Sequence, residues 1–136
     1  GSYGGYLTAH GLSRRSDLFS VGVDIHGVHN WNTELPTFAS WYNPNYYPKI
    51  AALAYQSSPE AYLDGWKSPV LLIHGDDDRN VPFSESVVLS EQLREKGVYF
   101  EQLIFPDEVH GFLLHDNWVR CMEATYEFIN RHIGKK

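Results

Sequence analysis

The sequence predicts an α/β fold in which a mostly parallel β-sheet carries helices on its faces. Two observations lead to this prediction. Segments with the composition of strands alternate along the chain with segments of helical periodicity, which is the pattern of β-α-β crossovers. The segment PVLLIH, residues 69–74, is a continuous apolar run, as expected for a central strand that is covered on both faces.

Each further element follows from a local pattern. Residues 19–26, FSVGVDIH, form a β-branched run that predicts a strand, and residues 98–105 predict another. Gly97 is well placed to end the helix that precedes the latter strand. Apolar residues recur at helical spacing in the last helix, at Trp118, Cys121, Met122, Thr125, Ile129 and Ile133. Helices are predicted over residues 6–12, 84–96 and 117–133.

Residues 27–60 are rich in Gly, Pro, Asn, Ser and aromatic residues, a composition typical of loops. We therefore predict a loop region with one or two short helices, of which residues 47–55 are the best candidate. The aromatic side chains of this region either line a binding pocket or pack against another part of a larger protein, and the sequence leaves both open. They include Trp31, Trp41, Tyr42, Tyr46 and Tyr47.

The chain length and charge restrict the classes of partner. A chain of 136 residues is one domain in size, but three predicted strands make a narrow sheet. We expect the chain to be the C-terminal part of a larger α/β domain, with exposed sheet edges through which copies could form a homo-oligomer. The net charge is −6 and no Lys/Arg run is present, which argues against nucleic acid as a partner. No apolar run reaches the length of a membrane span.

Three polar segments are candidates for catalysis. Ser2 precedes the first helix, the segment HGDDDRNVP follows the central strand, and His110 follows the last strand. A serine hydroxyl needs a neighbouring base, and an imidazole oriented by a carboxylate supplies one. Gly4 and Gly5 are the small neighbours that a sharp turn before a helix requires. Gly-Ser at a chain start is also what tag removal leaves, and Ser2 could be an ordinary turn serine.

SYGGY, HGDDDRNVP and DEVHGF, in this order, resemble the catalytic half of the prolyl oligopeptidase family of serine peptidases. The resemblance is closest to its dipeptidyl-peptidase and acylaminoacyl-peptidase branches. It implies an α/β-hydrolase fold, of which residues 1–136 are the C-terminal portion, with further strands and a β-propeller preceding them in family members. It also implies short peptides as substrates and no cofactor.

The resemblance assigns roles to individual positions. Ser2 falls on the nucleophile, His110 on the base, and Asp78, rather than Asp76 or Asp77, on the carboxylate that orients the base. The amide of Tyr3 falls on one oxyanion donor, and a tyrosine hydroxyl from an upstream loop is the other donor in the family. The remaining positions fall on substrate-binding residues: Asn80 on the one that holds the substrate backbone, and Val28, Trp31 and Val81 on the hydrophobic pocket.

Other interpretations compete with the peptidase hypothesis. A carboxylesterase or lipase on the same fold would share the three catalytic residues. The chain could instead be a catalytically inert fragment that oligomerises. A metal site at the three aspartates, or at His26 and His29, is not predicted, because the oxygen ligands that a cation needs do not follow at regular spacing and the two histidines do not share a helix face.

Overall fold

The computed structural model describes residues 1–133. Three parallel strands form a sheet in the order β1-β2-β3, with β1 at Gly22–Ile25, β2 at Val70–Gly75 and β3 at Phe100–Phe105. The central strand is the apolar run, and all six of its residues are buried. The α/β class and the central position of this strand are thereby confirmed.

Five α-helices and one 3-10 helix surround the sheet in the described part of the chain. The helices are α1 (Tyr3–Arg14), α2 (Trp31–Phe38), α3 (Pro48–Gln56), α4 (Ser84–Glu95) and α5 (His115–Ile133), and the 3-10 helix spans Pro59–Gly65. None of these helices combines the length and the apolar character that crossing a membrane would need.

Two apolar clusters cover the two faces of the sheet, and β2 contributes to both. Val70 and Leu72 pack on one face with residues of α1 and α4, such as Leu12 and Leu89. Leu71 and Ile73 pack on the other face, with α5 residues that include Cys121 and Phe128. Successive side chains of a strand point to opposite faces, so the apolar run of β2 is what joins the two layers of helices to the sheet.

The observed elements differ from the predicted ones at their ends. Helix α1 is longer than the predicted residues 6–12, and β1 covers only part of the predicted residues 19–26. In α5, Met122 is 59% exposed rather than in the core. The buried residues of this helix, Cys121 and Phe128, are seven positions apart, so α5 packs on the sheet through a narrow stripe that leaves Met122 outside it.

The region 27–60 is more helical than its composition predicts. We predicted one or two short helices in this region without placing one over Trp31–Phe38, where α2 lies, and Pro36 is inside it. The helix begins because the Asn30 side chain accepts a hydrogen bond from the Asn32 backbone N–H at 2.9 Å, a normal N-cap arrangement. Pro36 lies in the second half of this helix of eight residues, although proline is usually unfavourable inside a helix.

Candidate active site

Ser2 lies in a strained backbone conformation immediately before α1. Its φ and ψ are 51° and −116°, in a region that residues other than glycine rarely occupy. The turn is held by the Ser2 backbone N–H, which donates to Ile25 O at 2.8 Å and to His26 Nδ1 at 2.9 Å. The end of β1 therefore fixes the serine at the carboxyl edge of the sheet.

Helix α1 can start here because Gly5 packs directly against the loop after β1. A Cβ on Gly5 would lie 2.5 Å from Asp24 Oδ1 and 2.6 Å from Gly27 Cα. These distances are too short for any side chain at this position. We also predicted that Gly4 must be small, but a Cβ there would meet nothing within 4 Å among the described neighbours. Only one of the two glycines is therefore required by close packing.

The structure brings Ser2, His110 and Asp78 into one hydrogen-bonded chain. The distance from Ser2 Oγ to His110 Nε2 is 3.0 Å, and the distance from His110 Nδ1 to Asp78 Oδ2 is 2.7 Å. A carboxylate can only accept, so Nδ1 of His110 carries a proton and Nε2 of the neutral ring is free to accept from the serine hydroxyl. The arrangement can abstract the proton of Ser2.

Asp78 is buried and bound by four donors. Its Oδ1 accepts the backbone N–H groups of Asn80 and Val81, both at 2.9 Å, and its Oδ2 also lies 3.3 Å from His74 Nε2. Burial alone would raise the pKa of Asp78, but the hydrogen bonds from His74, the Val81 amide and His110 outweigh it and hold that pKa well below its usual range. The carboxylate is therefore ionised at neutral pH.

Asp76 and Asp77, which precede Asp78, are more exposed than Asp78 is. Asp76 is exposed and accepts from the Asp107 backbone N–H at 2.7 Å, and Asp77 lies 3.4 Å from Arg79 at the surface. Among residues 1–133, no group of three or more His, Cys, Asp or Glu is placed to hold a metal ion.

His74 lies beside Asp78 and helps to hold that carboxylate in place. Its ring is buried, Nε2 lies 3.0 Å from Val81 O, and Nδ1 lies 2.8 Å from Ser86 Oγ. Since Nε2 of His74 faces only acceptors, it carries the proton, and Nδ1 accepts a hydrogen bond from the Ser86 hydroxyl.

His26 contacts both Ser2 and His110, a position that the sequence analysis missed. Its ring centroid lies 4.0 Å from that of His110, and its Nδ1 accepts the Ser2 N–H. Burial, with the nearby charge of His110, lowers the pKa of His26 to about 4. The ring is therefore neutral near pH 7 and places no positive charge beside His110.

His29 lies in a buried ionic cluster that holds the same loop. Its Nε2 is 2.5 Å from Asp24 Oδ2 and its Nδ1 is 2.9 Å from Glu85 O. Both partners only accept, so the ring donates twice and is cationic. Burial would lower the pKa of His29, but the charge and hydrogen bond of Asp24 raise it to about 9. His26 and His29 thus face separate partners.

Glu85 completes this cluster from α4. One of its oxygens, Oε2, accepts the backbone N–H groups of His29 at 2.8 Å and of Asn30 at 3.1 Å. Burial raises the pKa of Glu85 to about 7. The cluster thereby ties the loop after β1 and the start of α2 to the helix behind them.

A cleft of about 220 Å³ opens beside Ser2. The four predicted substrate-binding residues all lie in its wall: Val28, Trp31, Asn80 and Val81. Tyr6, Glu34 and Phe38 also line it and were missed. Glu34 and Phe38 lie on α2, whose position was not predicted. The one signal for Glu34 and Phe38 was their spacing of three and seven residues from Trp31.

The backbone N–H of Tyr3 is the candidate oxyanion donor, and Tyr3 is one of the residues that line the cleft. Within residues 1–133 this N–H donates no hydrogen bond. It lies in the first turn of α1, where the partial positive charge of a helix start favours a developing anion.

Trp41, Tyr42, Tyr46 and Tyr47 are not among the residues that line the cleft. Trp41 and Tyr47 pack edge to face with ring centroids 5.3 Å apart, and Trp41 is 63% exposed. Of the five aromatic residues singled out in the sequence, Trp31 is thus the one in the cleft wall.

The chain also matches known proteins over its whole length. A sequence model described as the prolyl oligopeptidase family matches residues 1–136. The chain belongs to this family. Dipeptidyl aminopeptidase BIII of Pseudoxanthomonas mexicana is 31% identical over 98% of the chain, and dipeptidyl-peptidase 5 of Porphyromonas gingivalis is 27% identical over 98%.

Two solved peptidase structures superpose on the chain. The Pyrococcus horikoshii acylaminoacyl peptidase has a TM-score of 0.83 and 27% identity over 99% of the chain and 23% of its own length. A puromycin-hydrolysing peptidase of Mycobacterium tuberculosis has a TM-score of 0.81 and 27% identity over the whole chain and 22% of its own length. The fold is accordingly that of the α/β-hydrolase peptidases.

The chain spans about a fifth of the length of the relatives that it matches, 21% for each of the two sequences above.

Proposed function

We propose that the chain carries the catalytic centre of a serine peptidase with Ser2 as nucleophile. The observation that carries the proposal is the hydrogen-bonded chain from Ser2 Oγ through His110 to Asp78, with distances of 3.0 and 2.7 Å. The family's other members named above are peptidases. Residues 1–136 are, in this proposal, the C-terminal portion of a longer peptidase.

The first half of the reaction forms an acyl-enzyme. Ser2 Oγ attacks the peptide carbonyl while His110 Nε2 takes the hydroxyl proton, and ionised Asp78 stabilises the imidazolium that results. The Tyr3 N–H donates to the carbonyl oxygen as it becomes an oxyanion, an interaction whose loss typically costs about 10²–10³ in turnover. His110 then returns the proton to the leaving amine.

The second half of the reaction repeats these steps with water. His110 Nε2 takes a proton from water, the resulting hydroxide attacks the ester carbonyl, and the proton returns to Ser2 Oγ. Every group needed for proton movement is then in its starting state. Neither half of the reaction, as written, requires a cofactor.

The substrates proposed are short peptides. Relatives of the chain are named dipeptidyl peptidases and acylamino-acid-releasing enzymes, so the bond cut lies near the amino terminus of the peptide. Val28, Trp31 and Val81 would contact the side chain before that bond, and Asn80 would hold the backbone.

Matched substrates test the reaction class. The full-length protein that contains this sequence is assayed with dipeptidyl and acetyl-aminoacyl p-nitroanilides and with esters of the same acyl groups. We expect both amides to be hydrolysed and the activity to disappear in Ser2→Ala. Hydrolysis of esters with no turnover of any amide would favour a carboxylesterase or lipase instead.

A further inference from the structure

Glu34 is a buried acidic residue in the wall of the cleft beside Ser2. It lies on α2 between Trp31 and Phe38, three positions after the former and four before the latter, and all three residues line the cleft. Residues at this spacing share one face of a helix. The face of α2 that borders the cleft therefore consists of two aromatic side chains with a carboxyl group between them.

The carboxyl group of Glu34 lacks the donors that its burial requires. The residue is 2% exposed. Its Oε1 has one long contact, 3.3 Å from Thr37 Oγ1, whose proton already goes to Glu34 O at 2.7 Å. Its Oε2 has no hydrogen-bond partner within residues 1–133. A buried polar atom without a partner is rare in folded proteins and costs free energy.

The residues around the cleft do not supply the missing donor. The lining contains no Lys or Arg. Burial raises the pKa of Glu34; the charge of Asp78 adds to this effect, and the charge of His110 opposes it. The aromatic rings on either side of Glu34 suit a basic side chain. Its methylene groups pack on apolar surface, and its guanidinium or ammonium group is attracted to a ring face.

We propose that Glu34 selects substrates with a basic side chain, Lys or Arg, in the residue whose carbonyl Ser2 attacks. Glu34 Oε2 accepts a hydrogen bond from the ammonium or guanidinium group, and Trp31 and Phe38 flank the methylene stem. The proposal rests on the peptidase function above and adds a substrate class to it. Glu34 acts here as a specificity-determining residue and takes no part in proton transfer.

The test compares substrates that differ only in charge at that residue. The full-length protein that contains this sequence is assayed with Gly-Arg, Gly-Lys and Gly-norleucine p-nitroanilides, and with the N-acetylated form of each. Norleucine matches the lysine stem without its charge. We expect kcat/KM for the basic substrates to exceed that for norleucine by about 10- to 100-fold, the range for a hydrogen bond between charged groups.

The variant Glu34→Gln separates charge from shape. We expect it to lose most of the preference for Arg and Lys, measured as the ratio of kcat/KM for each basic substrate to kcat/KM for norleucine in the same protein. Asp77→Asn removes a negative charge from the nearby surface loop and is expected to leave the preference unchanged. Equal rates of Ser2 labelling by a fluorophosphonate in all three proteins would show that the catalytic chain is intact.

Three results would overturn the assignment to Glu34. The first is equal kcat/KM for norleucine and the basic substrates in an active enzyme. The second is a basic preference that survives in Glu34→Gln. The third is a preference that follows the free α-amino group and disappears on acetylation, which would place the cation at the peptide's amino terminus. If no peptide is hydrolysed and Ser2 is not labelled, the peptidase function itself fails.

Discussion

Three consecutive aspartates show how surroundings decide the chemistry of one residue type. Asp76 and Asp77 lie at the surface, whereas Asp78 is 7% exposed and accepts hydrogen bonds on both oxygens. The backbone N–H groups of Asn80 and Val81, at the end of the same loop, donate to Asp78. They help to keep this carboxylate ionised while its other oxygen faces His110. Burial without those donors would have the opposite effect on the pKa.

Asp78→Asn should abolish most activity while leaving the fold in place. The amide cannot stabilise an imidazolium and favours the wrong tautomer of His110, so we expect kcat to fall by about 10⁴. The measurement is kcat for a dipeptidyl p-nitroanilide with the full-length protein, with Asp77→Asn as the matched control at wild-type rate. Equal effects of the two variants would contradict the role given to Asp78.

At the residue scale, the sequence could indicate Ser2, Asp78 and His110 but not Glu34. The first three each follow the end of a strand or precede a helix, and the carboxyl ends of parallel strands meet at one edge of the sheet. The importance of Glu34 depends on which donors are absent around it after folding. Nothing in the chain near Glu34 carries that information, and the composition of residues 27–60 did not locate the helix that orients it.

At the scale of elements, the contact between α1 and the loop after β1 sets the position of Ser2. A Cβ at Gly5 would collide with Asp24 and Gly27, so the helix start and the loop approach each other as closely as backbone allows. The same loop supplies Ile25 O and His26 Nδ1 to the Ser2 N–H. Moving the helix away would break both hydrogen bonds.

Gly5→Ala is therefore expected to destabilise the protein by about 1–3 kcal/mol and to slow the labelling of Ser2. Gly4→Ala in the same helix turn is the control, because a Cβ there meets none of the described atoms and alanine favours a helix by about 1 kcal/mol. Chemical unfolding and labelling rates of the full-length protein measure the two effects. A Gly5→Ala variant as stable and as reactive as Gly4→Ala would refute the close-contact explanation.

The buried cluster of Asp24, His29 and Glu85 predicts that stability depends on pH. The pKa of His29 is raised from 6.5 to about 9 in the folded protein, so the folded state binds more protons than the unfolded state between these values. The stabilisation that His29 contributes is complete below about pH 6.5 and is lost as pH rises through about 9. The raised pKa of Glu85 acts in the same direction.

Unfolding of the full-length protein by denaturant at a series of pH values tests this dependence. We expect the free energy of unfolding to fall between pH 6.5 and 9. The fall should be smaller in His29→Gln, which keeps a side-chain donor but cannot titrate. The same slope in both proteins would show that other groups titrate in this range and that His29 is not the one responsible.

At the element scale, the sequence predicted the type of most elements but not their ends. The apolar run of β2 is recognisable because both faces of this strand are covered. The short strand β1 is harder, since its residues are mostly half-buried and the β-branched pattern continues beyond the hydrogen-bonded part. The formation of helix α2 depends on its Asn30 cap and on the packing of its residues in the wall of the cleft. Amino-acid composition indicates neither.

At the scale of the whole molecule, the described sheet has two unpaired edges. Within residues 1–133, β1 and β3 each pair with β2 alone. Beside β1 lies an apolar groove of about 450 Å³ between the strand and α1, lined by residues that include Leu7, Phe19 and Val21. Exposed strand edges next to apolar surface favour pairing with another chain.

We therefore predict that the 136-residue chain, produced alone, associates through this edge and hydrolyses peptides slowly or not at all. Tyr3 supplies one proposed oxyanion donor, and the family resemblance places the second in a segment upstream of Ser2. Light scattering over a range of concentrations measures the association, and Leu7→Glu should weaken it. A monomer at every concentration, or peptidase activity equal to that of the full-length protein, would contradict this prediction.

The most direct measurement is the identification of the residue that a fluorophosphonate modifies in the full-length protein. We predict a single adduct, found by mass spectrometry on the peptide that contains Ser2, absent in Ser2→Ala and strongly slowed in His110→Gln. Modification of a different serine, or labelling that survives in Ser2→Ala, would show that the hydroxyl, imidazole and carboxylate described here are not the catalytic groups.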